Sequence, residues 1–160
     1  MKNVVLIGMP GCGKSTVGPL LGSPFLDSDT EIEADEGRSI PDIFAADGEG
    51  AFREAEKRVI ARLSKLQGVV IATGGGAVKD PANMEALRRN GVIIFLTRPP
   101  GLIRTNNAVR PLSGSAAQWE ALYRERLPLY RRYADITVCN DTTPEECAER
   151  ILQVMKGADI

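Results

Sequence analysis

Val4-Val5-Leu6-Ile7-Gly8-Met9-Pro10-Gly11-Cys12-Gly13-Lys14-Ser15-Thr16 opens the chain and decides its fold. A β-branched apolar run passes straight into G-x-x-x-x-G-K-[ST], so the motif stands after a predicted strand and at the start of a predicted helix. Glycines at 8, 11 and 13 let the backbone curl until successive N–H groups point at phosphate oxygens. The helix N-terminus adds partial positive charge, Lys14 can reach β- and γ-phosphates, and the Ser15 hydroxyl suits Mg²⁺. Four such positions coincide by chance in under roughly one chain in a hundred. Cys12 lies inside this loop, where a helix N-terminus and Lys14 can lower a thiol pKa; it also serves as a small residue in a tight turn.

Working outward, apolar runs alternate with amphipathic stretches. Val4–Ile7, Phe25-Leu26, Val69–Ala72, Val92–Leu96 and Ile136–Cys139 read as five short strands. Each is apolar on consecutive residues, as in a parallel sheet covered on both faces. Asp80-Pro81 and Thr143-Pro144-Glu145-Glu146 are helix starts, the latter a capping box with proline at the first helical position. Phe52, Ala55, Val59, Leu63 and Leu66 form one apolar stripe at helical spacing. No repeat or linker interrupts the chain. The one stretch without periodicity, Thr105 to Ala116, is a polar loop carrying Arg110. The expectation is a single α/β domain over residues 1–160.

Length and composition narrow the chemistry. At 160 residues with 43% hydrophobic and 26% charged residues, the chain supports one ordinary core and is not disordered in composition. No apolar run approaches the ~20 residues of a membrane span, and Met1-Lys2-Asn3 carries no cleavage-site pattern. Three cysteines without metal-ligand spacing suit a reduced, cytoplasmic setting. Histidine is absent, which excludes Ser-His-Asp and Cys-His nucleophiles, His-ligated zinc and a His base. A net charge of −1 gives no reason to expect a nucleic-acid partner. The lack of N-K-x-D sets aside the usual base-reading of GTPases, and the length leaves little room for an ATPase motor. Small kinases remain, with the second substrate across the strand ends from the phosphate loop.

Three further segments bear on that substrate. Asp27-Ser28-Asp29 places two carboxylates just past the second strand, at the edge where open α/β sheets bind ligands. Asp27 suits a Mg²⁺-bound water and Asp29 a substrate hydroxyl; Ser28-x-x-Glu31 is also a capping box, and both uses are compatible. In Phe52-Arg53-Glu54-Ala55-Glu56, Glu56 falls about 40° from Phe52 on a helical wheel, inside the apolar stripe. A buried carboxylate needs a partner, and Arg53 is in reach, as an ordinary salt bridge or as a fork positioned for a substrate carboxylate. Thr73-Gly74-Gly75-Gly76 leaves bare backbone for a small polar ligand, or makes a flexible turn.

Together these segments resemble shikimate kinase over nearly the whole chain. The likeness is carried by Gly8–Thr16, Asp27–Asp29, Gly48-Glu49 with Phe52-Arg53 and Glu56, Ala72–Gly76, Arg110-Pro111-Leu112 and Arg126-x-Pro128-Leu129-Tyr130. The resemblance implies the fold of nucleoside monophosphate kinases, three layers around a central five-stranded parallel sheet, with a lid at about 105–116 and substrate-binding helices over about 29–66. It implies that Asp29, Arg53, Gly74, Gly75, Gly76 and Arg126 bind shikimate. ATP would be bound by Gly11, Cys12, Gly13, Lys14, Ser15, Thr16, Arg104, Arg110 and Thr143, and Mg²⁺ by Ser15 and Asp27. Lys14, Asp29 and Arg110 would be the catalytic residues, in a monomer. Gluconate kinases share the loop but not the FR-x-x-E and TGGG pair; a module that binds nucleotide without catalysis is the other alternative. The chain departs from the family at Pro19, which lies where the helix after the loop should run and predicts a short or bent helix, and at threonines 142 and 143 beside the expected adenine site.

Overall fold

The computed structural model describes residues 1–103 and 116–157. Arg104, Arg110 and, apart from Ala116, the expected lid lie outside the described residues. Five strands form one parallel sheet: β1 (Asn3–Ile7), β2 (Phe25–Asp27), β3 (Val70–Ala72), β4 (Gly91–Thr97) and β5 (Ile136–Cys139), in the order β2-β3-β1-β4-β5. The five predicted strands are all present, with ends shifted by no more than one residue.

The register explains the two cores. Val5 lies between Ile71 and Ile93, and these side chains pack on one face with residues of α2 (Ser28–Glu36), α3 (Ile40–Leu63), α4 (Pro81–Arg89) and α5 (Ala116–Tyr133). Leu6, between Ala72 and Ile94, packs on the opposite face with α1 (Lys14–Val17) and α6 (Pro144–Gly157). A sheet covered twice has no solvent face, so its strands read as unbroken apolar runs rather than alternating ones.

The helix after the phosphate loop is short, as Pro19 predicts. It makes four helical residues, and Gly18–Leu21 then tighten into a 3₁₀ turn, because Pro19 has no N–H to continue the ladder. Asp80 caps α4 through the Ala82 N–H, and Thr143 Oγ1 accepts from the Glu146 N–H at the start of α6. Two expectations need correcting. The α3 stripe ends at Leu63; Leu66 lies beyond the Ser64 cap and is exposed. The residue capping α2 is Asp27, whose Oδ1 accepts from the N–H groups of Asp29 and Thr30. Ser28 is buried inside the helix, and its Oγ accepts from the Gly74 N–H instead. The amphipathic helix α3 also breaks at Gly48 (φ 83°), a conformation L side chains rarely adopt.

Candidate active site

The carboxyl ends of β1, β2 and β3 open into a cleft of about 1050 Å³. One wall is the phosphate loop. Gly11 and Gly13 have positive φ, and Gly13 passes so close to Asn140 that any side chain there would overlap its amide. Asn140, buried at the end of β5, donates to the Cys12 carbonyl at 2.9 Å and ties the loop to the sheet. Trp119 Nε1 donates to the Pro10 carbonyl at 3.1 Å, tying the loop to α5. Lys14 Nζ donates to the carbonyls of Gly8 (2.7 Å) and Met9 (3.0 Å). Cys12 is buried in the core beneath the loop, which favours its use as a small packing residue over that of an exposed reactive thiol. At the cleft mouth Ser15 Oγ donates to Asp27 Oδ2 at 2.8 Å, so Asp27 both caps α2 and presents an oxygen beside the Ser15 hydroxyl. These are hard oxygen donors of the kind Mg²⁺ takes.

The opposite end of the cleft is built on the glycine triplet. A Cβ at Gly74 would lie 2.7 Å from Asp29 Oδ1 and 3.2 Å from Glu56 Oε2. At Gly75 it would lie 2.9 Å from Arg126 Nη1, and at Gly76 it would overlap the Arg53 guanidinium. The triplet therefore leaves room for four charged side chains around it, a reason for three glycines that neither a flexible turn nor bare backbone supplied. Tyr130 OH donates to the Gly75 carbonyl at 2.6 Å and holds the turn to α5.

The charges here are tightly arranged. Arg53 Nη1 donates to Glu56 Oε1 at 2.8 Å, with Glu49 at 3.4 Å and the Phe52 ring beneath the guanidinium. Glu56 is 1% exposed; burial raises its pKa, while Arg53 and Arg126 oppose the rise. Arg126, on α5, is also buried, and its Nε has no partner. Asp29 is half-buried as a residue, but its Oδ1 is sealed from solvent and unpartnered. Burial, then the neighbouring charges of Asp27 and Glu56, push its pKa up to about 7; Lys14 and Arg53 hold it back. A carboxyl poised near neutral pH can accept a proton from a hydroxyl. The guanidiniums of Arg53 and Arg126, around the same glycine turn, fit a carboxylate.

Of the expected site residues, Gly11, Gly13, Lys14, Ser15, Thr16, Asp27, Asp29, Arg53, Gly74, Gly75, Gly76 and Arg126 line this cleft. Thr143 does not, its hydroxyl being engaged in capping α6. The anchors Trp119, Tyr130 and Asn140 carried no local signal of their role, since each reaches a backbone carbonyl more than 50 residues away.

A family model of shikimate kinase (SKI) matches residues 10–156. A shikimate kinase of Thiobacillus denitrificans is 48% identical over 91% of this chain and 84% of its own length. One from Halorhodospira halophila is 45% identical over 98% and 94%. A solved structure, shikimate kinase from Acinetobacter baumannii in complex with shikimate, superposes with a TM-score of 0.94 at 35% identity, covering 100% of this chain and 96% of that one.

Proposed function

The chain belongs to the shikimate kinase family, and on that premise we propose that its cleft transfers the γ-phosphoryl group of ATP to the 3-hydroxyl of shikimate, giving shikimate 3-phosphate and ADP. The product would serve chorismate and aromatic amino acid biosynthesis. The observation that carries this reading is one cleft with a phosphate loop at one end and, at the other, Asp29 beside Arg53 and Arg126.

Phosphoryl transfer needs positioning and charge neutralisation more than covalent help. Gly11–Thr16 would cradle the phosphates, which compete with the Gly8 and Met9 carbonyls for the Lys14 ammonium. Ser15 Oγ and Asp27, the latter through water, would hold Mg²⁺, whose charge would neutralise β- and γ-phosphate oxygens. Arg53 and Arg126 would take the shikimate carboxylate, with Glu56 holding the Arg53 fork in place. Asp29 and the Gly74–Gly76 backbone would bind the hydroxyls, and Asp29 would orient the attacking 3-hydroxyl and accept its proton late. Arg110 would act on the transferring group from the lid at about 105–116, excluding water, and Arg104 with the loop from Asn140 to Pro144 would flank the adenine. The unit is a monomer over 1–160; its three unpaired thiols suit the cytoplasm, and no described helix is long and apolar enough to cross a membrane.

The test is ADP release with Mg-ATP and shikimate, gluconate or no acceptor, with Lys14→Ala as control. Shikimate-dependent turnover lost in the control is expected. Turnover with gluconate alone would overturn the roles of Arg53 and Arg126, and ATP binding without turnover on any acceptor would favour a binding module.

A further inference from the structure

At the phosphate-loop end of the cleft, Arg98 stands without a counter-charge among the described residues. It follows β4 directly and lines the cleft, with Nη1 3.8 Å from where a Gly13 Cβ would be. Its Nε is sealed from solvent and bonded to nothing. Among the described residues no carboxylate pairs with it. The contrast with the other cleft cations is informative. Arg53 has Glu56 and Glu49, Arg126 lies in the field of Glu56, and Lys14 is engaged by two loop carbonyls. A guanidinium whose Nε is withdrawn from water without an acceptor costs free energy until an anion meets it, and its planar fork suits phosphate.

The local geometry points the same way. Asn140 holds the loop from this flank through the Cys12 carbonyl, which only a residue without a side chain at 13 allows, and Arg98 lies against the same flank within van der Waals reach of the loop. The substrate carboxylate has its own arginines around Gly75 and Gly76, so the anion within reach of Arg98 is the one the loop holds. We propose that Arg98 is a further nucleotide-binding residue, its guanidinium taking a phosphate oxygen of the bound nucleotide from the β4 flank of the loop. The proposal rests on the nucleotide reading of residues 8–16 and adds to it a phosphate contact from outside that loop.

Calorimetric titration of the full chain with ADP, tripolyphosphate and shikimate tests it, using the parent, Arg98→Ala and Arg98→Lys. Loss of a charge-assisted contact should weaken ADP and tripolyphosphate about ten- to hundredfold in Arg98→Ala. Arg98→Lys, with the charge but not the fork, should fall between, and shikimate affinity should not move. An ADP affinity within twofold of the parent would overturn the proposal. So would a loss for ADP but not tripolyphosphate, which would place Arg98 on base or ribose, or an equal loss for shikimate, which would make it a support of the fold. A parent that binds neither ADP nor tripolyphosphate would overturn the nucleotide reading itself.

Discussion

Replacing Asp29 with Asn should stabilise the protein while crippling it. Burial and the charges of Asp27 and Glu56 raise the Asp29 pKa from 3.8 to about 7. A carboxyl whose folded pKa exceeds its unfolded one adds nothing below the lower value, where both states are protonated. As pH rises from about 4 to 7 the unfolded chain gives up its proton and the folded one keeps it, so stability falls. Above about 7 the ionised, buried Asp29 weighs on the fold by the full shift, about 4 kcal/mol at most. Asparagine removes that charge at nearly constant shape. Urea unfolding should therefore show Asp29→Asn more stable than the parent at pH 8, with the gain smaller by roughly 2–3 kcal/mol at pH 5. Turnover should fall about 10²- to 10⁴-fold with loss of the orienting base. A gain equal at pH 5 and pH 8, or a variant less stable than the parent at pH 8, would refute the electrostatic account of this site.

Arg53→Ala should weaken shikimate binding in calorimetry by an order of magnitude or more and leave ATP binding nearly intact. It also strips buried Glu56 of its 2.8 Å donor, so unfolding at pH 8 should cost about 3 kcal/mol less. Gly74→Ala places a methyl 2.7 Å from Asp29 Oδ1, and steady-state kinetics should show a KM for shikimate raised about tenfold with the KM for ATP unchanged. Arg110→Ala should lower kcat far more than it weakens shikimate binding; equal kcat with a raised KM would contradict its role at the transferring group.

The phosphate loop, its strand and its foreshortened helix were all legible from one stretch of chain. Phosphate binding here uses consecutive backbone N–H groups, and the effect of Pro19 on the ladder is local. The Arg53–Glu56 pair was legible for the same reason, since three residues on a helix are neighbours whatever the fold. The capping of α2 is not decided locally. Ser28 and Asp27 are both good caps in isolation, and what chose between them is Gly74, 46 residues downstream, whose N–H claims the Ser28 hydroxyl.

The glycine triplet shows where local reading stops. Three glycines announce special backbone, but Asp29, Glu56, Arg126 and Arg53 surround them from three helices, and only the packed sheet brings those helices to one turn. The same holds for Arg98, which nothing in the local sequence distinguishes and which lies beside Gly13, without a carboxylate partner among the described residues, once β4 lies against β1. Residue types and their spacing dictate strands, helices and the chemistry of contiguous motifs, because hydrogen-bonding and apolar periodicity act within a few residues. Which charges face one another, and so the pKa of Asp29 and the need for glycine at 74, is decided by the register of the parallel sheet, because burial and Coulomb interaction depend on distance in space.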